Sequence, residues 1–129
     1  MLNVMPAAIR GAHMMFYSSD APALRTFFRD KLGLPGTDVG DGWLIFDVPE
    51  ADLGCHPASA PASGDDGAPS GTADISFYCD DIQASVAALA ARGVEFEGPV
   101  EDHGYGLVTH LRVPGGFTVQ LYQPRYQKR

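Results

Sequence analysis

The sequence predicts an α+β fold in which two copies of a βαβββ module pair into one curved mixed sheet, with the helices on its convex side. Three observations support this prediction. A strand-and-helix pattern occurs twice in the 129 residues, a low-complexity segment separates the two copies, and each copy is too short to bury a core alone. The predicted modules span 9–56 and 73–124, with a linker at 57–72, inside a single domain of residues 1–129.

Each module begins with a predicted strand that ends at an acidic residue. Residues 13–20 read HMMFYSSD, and residues 74–81 read DISFYCDD. Short runs of aromatic and apolar residues such as these are typical of strands. Asp20 and Asp81 follow, and a carboxylate at that position can accept hydrogen bonds from the free N–H groups of a first helical turn. Each therefore predicts a helix N-cap.

A helix follows each of these strands. Apolar residues recur at helical spacing and form one stripe on each helix: Leu24, Phe27, Phe28 and Leu32 on the first, and Ile82, Val86, Leu89 and Ala90 on the second. Pro22 suits an early helical position, because its missing N–H group has no partner there in any case. Gly33 and Gly93 follow the two stripes, and a glycine just beyond a helix readily ends it.

Further strands complete each module. Residues 43–49 resemble residues 108–114, since both end in Val-Pro, and final strands are predicted near 51–56 and 117–122. The intervening residues 57–71 are rich in Pro, Ala, Ser, Gly and Asp, a composition typical of a flexible linker.

Charge and composition exclude several classes of partner. Lys and Arg number 9 and Asp and Glu 16, which gives a net charge of −7. A negative surface repels phosphate backbones and anionic lipids, so we expect no nucleic acid and no membrane as a partner. The same charge favours a cationic ligand. No apolar run could span a bilayer, and the first residues do not resemble a signal peptide, so a cytoplasmic location is expected.

The two cysteines, Cys55 and Cys79, have neither the spacing of a zinc site nor a CxxC motif. We expect both to be small buried side chains in a reducing compartment, without a disulfide.

Strand alternation predicts which side chains line a pocket. In each first strand one face is apolar and should contact the helix, whereas the other face is mixed and should line the concave side. The mixed set comprises His13, Met15 and Tyr17; Asp74, Ser76 and Tyr78; His110 and Arg112; and Thr118, Gln120 and Tyr122. The tyrosines are predicted to stack on a planar ligand, whereas Trp43 is expected to pack in the core.

The pattern of strand, Asp, helix and Gly at 13–34 and 74–94, together with VPGGFTVQL at 113–121, resembles the vicinal oxygen chelate superfamily. That superfamily includes glyoxalase I, extradiol dioxygenases, fosfomycin-resistance enzymes and bleomycin-resistance binding proteins. The resemblance covers nearly the whole chain. It implies the paired-module fold, a pocket for a small molecule and a homodimer.

The resemblance also implies a divalent metal (Fe, Zn, Ni or Mn) held by the first and last strands of each module. Residue by residue, His13 matches the first ligand. Asp74 stands where many members have His, and Gln120 where most have Glu. Asp52 is the nearest match in the last strand of the first module. In the alternative interpretation His13 only forms hydrogen bonds in the pocket, Asp74 caps a turn and Gln120 orients a ligand.

Two functions follow from this interpretation. In the first, the chain is a metal-dependent lyase, isomerase or dioxygenase in which the metal acts as a Lewis acid and His110 is a general acid or base. In the second, it is a metal-free protein that sequesters an antibiotic or metabolite. We expect His103, in a loop at 102–106, and His56 to be exposed.

Overall fold

The computed structural model describes residues 13–51, 53–55 and 68–125. These ranges contain two helices and six strands. In chain order they are α1 (Ala21–Asp30), β1 (Gly36–Asp38), β2 (Leu44–Phe46), β3 (Ser76–Tyr78), α2 (Ile82–Ala91), β4 (Glu101–Asp102), β5 (Gly106–Val113) and β6 (Phe117–Pro124).

The strands form two sheets in the described ranges. Strands β1 and β2 make an antiparallel hairpin, and the larger sheet has the order β3-β6-β5-β4. Strand β3 runs parallel to β6, and the other pairs are antiparallel. Because α2 connects β3 to β4, the second half of the chain is a complete βαβββ module. The mixed α+β class predicted from the sequence is confirmed.

Both helices begin at the predicted N-caps. The carboxylates of Asp20 and Asp81 each accept a hydrogen bond of 3.1 Å from the backbone N–H three residues further on. Each bond satisfies one of the N–H groups that a first helical turn leaves without a partner. The helices end at Asp30 and Ala91, shortly before Gly33 and Gly93, which have φ values of 71° and 89°.

One hydrophobic core joins the two helices to one face of the larger sheet. The sheet contributes Leu111, Val113, Val119 and Leu121, and the helices contribute Leu24, Phe27, Phe28 and Ile82. Ile82 is fully buried and Leu111 is 1% exposed. Burying a side chain of this size contributes about 1.5–3 kcal/mol, so this shared face is what holds α1 to the second module.

The first module differs from the prediction at both of its ends. Residues 13–18 do not form the predicted strand, because their backbone pairs with no neighbouring strand in the described part of the chain. Aromatic contacts hold the segment instead. At the other end, residues 51 and 53–55 form no strand either. Asp52 and His56, and residues 57–67 of the predicted linker, lie outside the described residues, and the module boundaries stay a prediction.

No helix within the described ranges is long and apolar enough to cross a membrane.

Candidate functional site: an apolar cavity under the first helix

A cavity of about 320 Å³ lies between the 13–18 segment, helix α1 and the β1–β2 hairpin. Its wall is mainly apolar and aromatic. The segment contributes Met14, Met15, Phe16 and Tyr17, the helix contributes Leu24 and Phe28, and the hairpin contributes Trp43, Leu44, Ile45 and Phe46. A concave, largely apolar space of this size is typical of a small-molecule site.

Phe16 fixes the 13–18 segment as one wall of the cavity. Its ring centroid lies 5.6 Å from that of Phe28, and 6.2 Å from those of Phe77 and Phe117. At the end of the segment, the Ser18 hydroxyl donates a hydrogen bond of 2.9 Å to the carbonyl of Pro114. These contacts position the segment although its backbone forms no strand.

Arg25 and Trp43 close one side of the cavity. Arg25 lies on α1, and its guanidinium carbon is 4.5 Å from the ring centroid of Trp43 in the hairpin. At this distance a guanidinium is attracted to the face of an indole ring. Trp43 is 49% exposed, so the expectation that it packs in the core is wrong. Trp43 is not among the side chains packed against the core, and its ring contacts Arg25 instead.

The second face of the larger sheet carries most of the other predicted site residues. The register aligns Ser76 with Gln120 and Gln120 with His110, so these three form a row across β3, β6 and β5. We call this surface the polar face and define it by Ser76, Tyr78, Val108, His110, Arg112, Thr118, Gln120 and Tyr122. Apart from buried Val108 and exposed Arg112, its side chains are half-buried.

Aromatic contacts extend along one end of the polar face. The Tyr78 and Tyr122 ring centroids are 6.2 Å apart, and those of Tyr122 and Tyr105 are 6.3 Å apart. The Tyr78 hydroxyl donates a hydrogen bond of 3.0 Å to the carboxylate of Glu50. The loop after β2 is therefore held against this face.

The structure divides the predicted site residues between these two places. His13, Met15 and Tyr17 line the cavity. Ser76, Tyr78, His110, Arg112, Thr118, Gln120 and Tyr122 lie on the polar face, and none of them lines the cavity. Asp74 is exposed, two residues before β3. The ligand-binding and catalytic roles of these residues stay predictions.

The predicted metal ligands do not form a cluster in the part of the chain that the structure describes. No group of three or more His, Cys, Asp or Glu side chains there could hold a metal ion. His13 lies on the cavity wall, Gln120 on the polar face and Asp74 outside the strands. A neutral amide also offsets none of the charge of a divalent ion. The predicted ligands that the structure describes therefore do not form one metal site, and only His13 of them lies at the cavity.

Charged contacts lie in the loop at 102–106, away from the cavity. The backbone N–H of Gly104 and the Arg125 guanidinium both donate to the Asp102 carboxylate, and together they lower the pKa of that carboxyl. His103 is exposed, as predicted, and lies 3.2 Å from the Glu101 carboxylate. His56 lies outside the described residues.

Comparison with models of known protein families identifies the family of this chain. The model of the Glyoxalase/Bleomycin resistance protein/Dioxygenase superfamily matches residues 10–121. The chain belongs to this superfamily. No curated protein sequence matches it.

Several solved structures share the fold. TnmS3, an antibiotic binding protein from Streptomyces sp. CB03234, has a TM-score of 0.63 and 22% identity, covering 92% of this chain and 99% of its own. A superfamily member from Sphaerobacter thermophilus DSM 20745 has a TM-score of 0.56 and 26% identity, covering 93% and 99%. Lactoylglutathione lyase from Agrobacterium tumefaciens has a TM-score of 0.55 and 19% identity, covering 88% and 94%.

The sequence does not predict that two residues, Arg25 and Trp43, meet at the cavity of this superfamily member. Arg25 lies beside the apolar stripe of α1, where a charged residue ordinarily faces solvent. Trp43 precedes a short apolar run and resembles a core residue. Their contact depends on how the hairpin docks against the helix, and no local pattern in the sequence encodes that.

Proposed function

We propose that this superfamily member binds and sequesters a small, largely apolar organic molecule in the cavity under α1. The observation that carries the proposal is the cavity itself, about 320 Å³ in volume, with mostly apolar and aromatic walls. That volume falls at the lower end of the range of ligand pockets, about 300–1,000 Å³. TnmS3, which shares the fold, is an antibiotic binding protein, and a binding role of this kind requires no metal.

Uptake of a neutral fluorescent probe tests this proposal. N-phenyl-1-naphthylamine is uncharged, and its emission rises in apolar surroundings. We expect saturable binding with about one probe per chain. The variant Ala21→Phe should weaken binding by about tenfold or more, because Ala21 lines the cavity and a larger side chain would occupy it.

The matched control places the same side chain elsewhere. Ala87 is exposed on α2 and lines no part of the cavity, so Ala87→Phe should bind the probe like the wild type. Absence of saturable binding, or an equal affinity in Ala21→Phe with unchanged circular dichroism, would contradict the proposed binding function.

A metal-dependent lyase, isomerase or dioxygenase is the second candidate, and the observation in its favour is that His13 lies on the cavity wall. Elemental analysis of untagged protein, purified without chelator, tests this candidate. About one equivalent of a single transition metal (Fe, Zn, Ni or Mn), lost in His13→Ala, would support it. No metal after reconstitution would exclude His13 as a ligand and leave the binding function.

We also propose that the protein is a cytoplasmic homodimer. Among the described residues, the exposed large apolar side chains are concentrated in the first half of the chain: Met14, Met15, Tyr17, Val39, Trp43, Val48 and Leu53. A concentration of exposed apolar surface is typical of an interface. Both cysteines are free thiols, which fits a reducing compartment. Light scattering should give the mass of two chains, and the mass of one chain would contradict the dimer.

A further inference from the structure

The cavity wall carries a fixed positive charge and no described negative one. Arg25 lines the cavity, and the described lining includes no Asp or Glu. Arg25 forms no ion pair with any residue that the structure describes. The local charge of the cavity is therefore opposite in sign to the net charge of the chain, which is −7.

The local charge governs the choice of ligand more strongly than the net charge does. Exposed charges separated by more than about 8 Å are largely screened at physiological salt. A ligand inside the cavity lies against Arg25, whereas the acidic residues nearest to the lining in sequence, Asp20, Asp41 and Asp47, are exposed and line no part of the cavity. The cationic ligand expected from composition alone would therefore meet a charge of its own sign.

The cation–π contact with Trp43 leaves Arg25 suited to a carboxylate. The guanidinium carbon lies 4.5 Å from the ring centroid, and the N–H groups of Arg25 have no ion-pair partner among the described residues. The N–H groups of a guanidinium point outward in its plane, and two of them can donate to both oxygens of a carboxylate. The indole restricts the guanidinium, which reduces the entropy lost when such a ligand binds.

From this arrangement we propose that the cavity accepts a small apolar molecule with a single carboxylate, which Arg25 binds while Trp43 and the apolar wall cover the hydrocarbon or aromatic body. This inference rests on the proposed binding function and names the class of ligand. Met14, Leu24, Phe28 and Ile45 supply the apolar wall.

Three compounds with one skeleton isolate the contribution of the carboxylate. They are 3-phenylpropanoate, its neutral amide 3-phenylpropanamide, and the cation 3-phenylpropylamine. Trp43 is the only tryptophan in the chain, so its fluorescence reports directly on the cavity, and calorimetry gives an independent affinity. We expect the carboxylate to bind about tenfold more tightly than the amide, and the amine to bind most weakly.

Variants of two arginines on α1 assign that preference to one side chain. Arg25→Gln should reduce the difference between carboxylate and amide to about twofold, and Arg25→Lys should retain part of it. Arg29→Gln is the matched control, because it removes the same charge from the same helix. Arg29 is exposed, paired with Asp30 and absent from the cavity wall, so this variant should keep the full preference.

Two results would overturn the proposal. In the first, the amide or the amine binds the wild type as tightly as the carboxylate does. In the second, the carboxylate preference persists in Arg25→Gln. Either result leaves the proposed binding function standing, because the neutral probe tests that function separately. Failure of the neutral probe together with all three compounds would overturn both.

Discussion

Lys31 and Arg92 exchange hydrogen bonds across the ends of the two helices. The Lys31 ammonium donates to the carbonyl of Arg92 at 2.9 Å, and Nη1 of Arg92 donates to the carbonyl of Lys31 at 3.2 Å. Each residue is the C-cap of its own helix. The last carbonyls of a helix have no partner inside it and favour a nearby cation. The two helices therefore cap each other at their C-terminal ends.

Single and double alanine variants should detect this exchange. We expect Lys31→Ala and Arg92→Ala each to lower the free energy of unfolding by about 0.3–1 kcal/mol, because both contacts are largely exposed to solvent. The double variant should lose about the sum, because each side chain donates to a backbone carbonyl that the other substitution leaves in place. Urea unfolding measures all three variants.

Arg29→Ala provides the comparison, since Arg29 pairs only with its neighbour Asp30 among the described residues. Arg29 donates to no carbonyl of the other helix, so its loss measures what an exposed ion pair alone contributes. Losses at Lys31 and Arg92 no larger than the loss at Arg29 would mean that the exchange contributes nothing to stability.

The turn between β5 and β6 is shaped by its contact with Ser18. Gly115 has a φ of 112°, and a Cβ built there would collide with the Ser18 hydroxyl. Gly115→Ala therefore combines backbone strain with a steric clash. The strain alone costs on the order of 1–3 kcal/mol, and we expect the variant to lose more than that in urea unfolding.

Gly116→Ala separates the two causes. Gly116 also has a positive φ, 80°, but a Cβ there would meet no atom within 4 Å. This variant should incur only the strain. Adding Ser18→Ala to Gly115→Ala should recover part of the stability, because it removes the hydroxyl but leaves the strained backbone. Equal losses of unfolding free energy at the two glycines would show that the Ser18 side chain moves aside without destabilising the fold.

Local chemistry explains which parts of the fold could be predicted. Asp20 and Asp81 act on N–H groups three residues away, so the sequence next to them is sufficient to predict both N-caps. The residues that β3, β5 and β6 place on the polar face follow from alternation alone, because side chains on neighbouring strands keep the same parity.

The unpredicted features depend on distant partners. Residues 13–18 have the composition of a strand, but a strand also requires a neighbouring strand, and Phe16 instead packs among three other phenylalanines. The Arg25–Trp43 contact joins a helix to a hairpin 18 positions further along the chain. Cys55 was expected to be buried but is exposed, because residues 53–55 form no strand that would carry it into the core.

The pKa of Asp102 should be low for two separable reasons. The larger cause is the hydrogen bond from the Gly104 N–H, 2.9 Å long, and the second is Arg125, whose Nη2 is 2.7 Å from Oδ2 of Asp102. Carbon-13 NMR titration should find the pKa of this carboxyl below about 3.9, the ordinary value for Asp. Arg125→Gln should raise it only in part, because the backbone bond remains, whereas the distant Arg29→Gln should leave it unchanged.

The sign of the stability effect follows from that lowered pKa. A carboxyl whose pKa is lower in the folded state stabilises the fold above its unfolded pKa and loses this contribution as pH falls through its folded pKa. Wild type should therefore be more stable than Asp102→Asn at neutral pH, and the difference should shrink in acid below about pH 4. A difference that does not change with pH would contradict this account of the carboxyl.

The two thiols should differ in reactivity because their surroundings differ. Burial raises the pKa of the Cys79 thiol, which packs against the core and lies 3.7 Å from the Tyr122 carbonyl. The thiolate is the reactive form, and burial disfavours it and limits access. Cys55 is exposed.

Dithionitrobenzoate should therefore modify Cys55 quickly and Cys79 about tenfold or more slowly at neutral pH. Cys55→Ser should abolish the fast phase and Cys79→Ser the slow one, and urea should make both thiols fast in the wild type. A fast reaction of Cys79 in the folded Cys55→Ser variant would contradict this account of the two thiols.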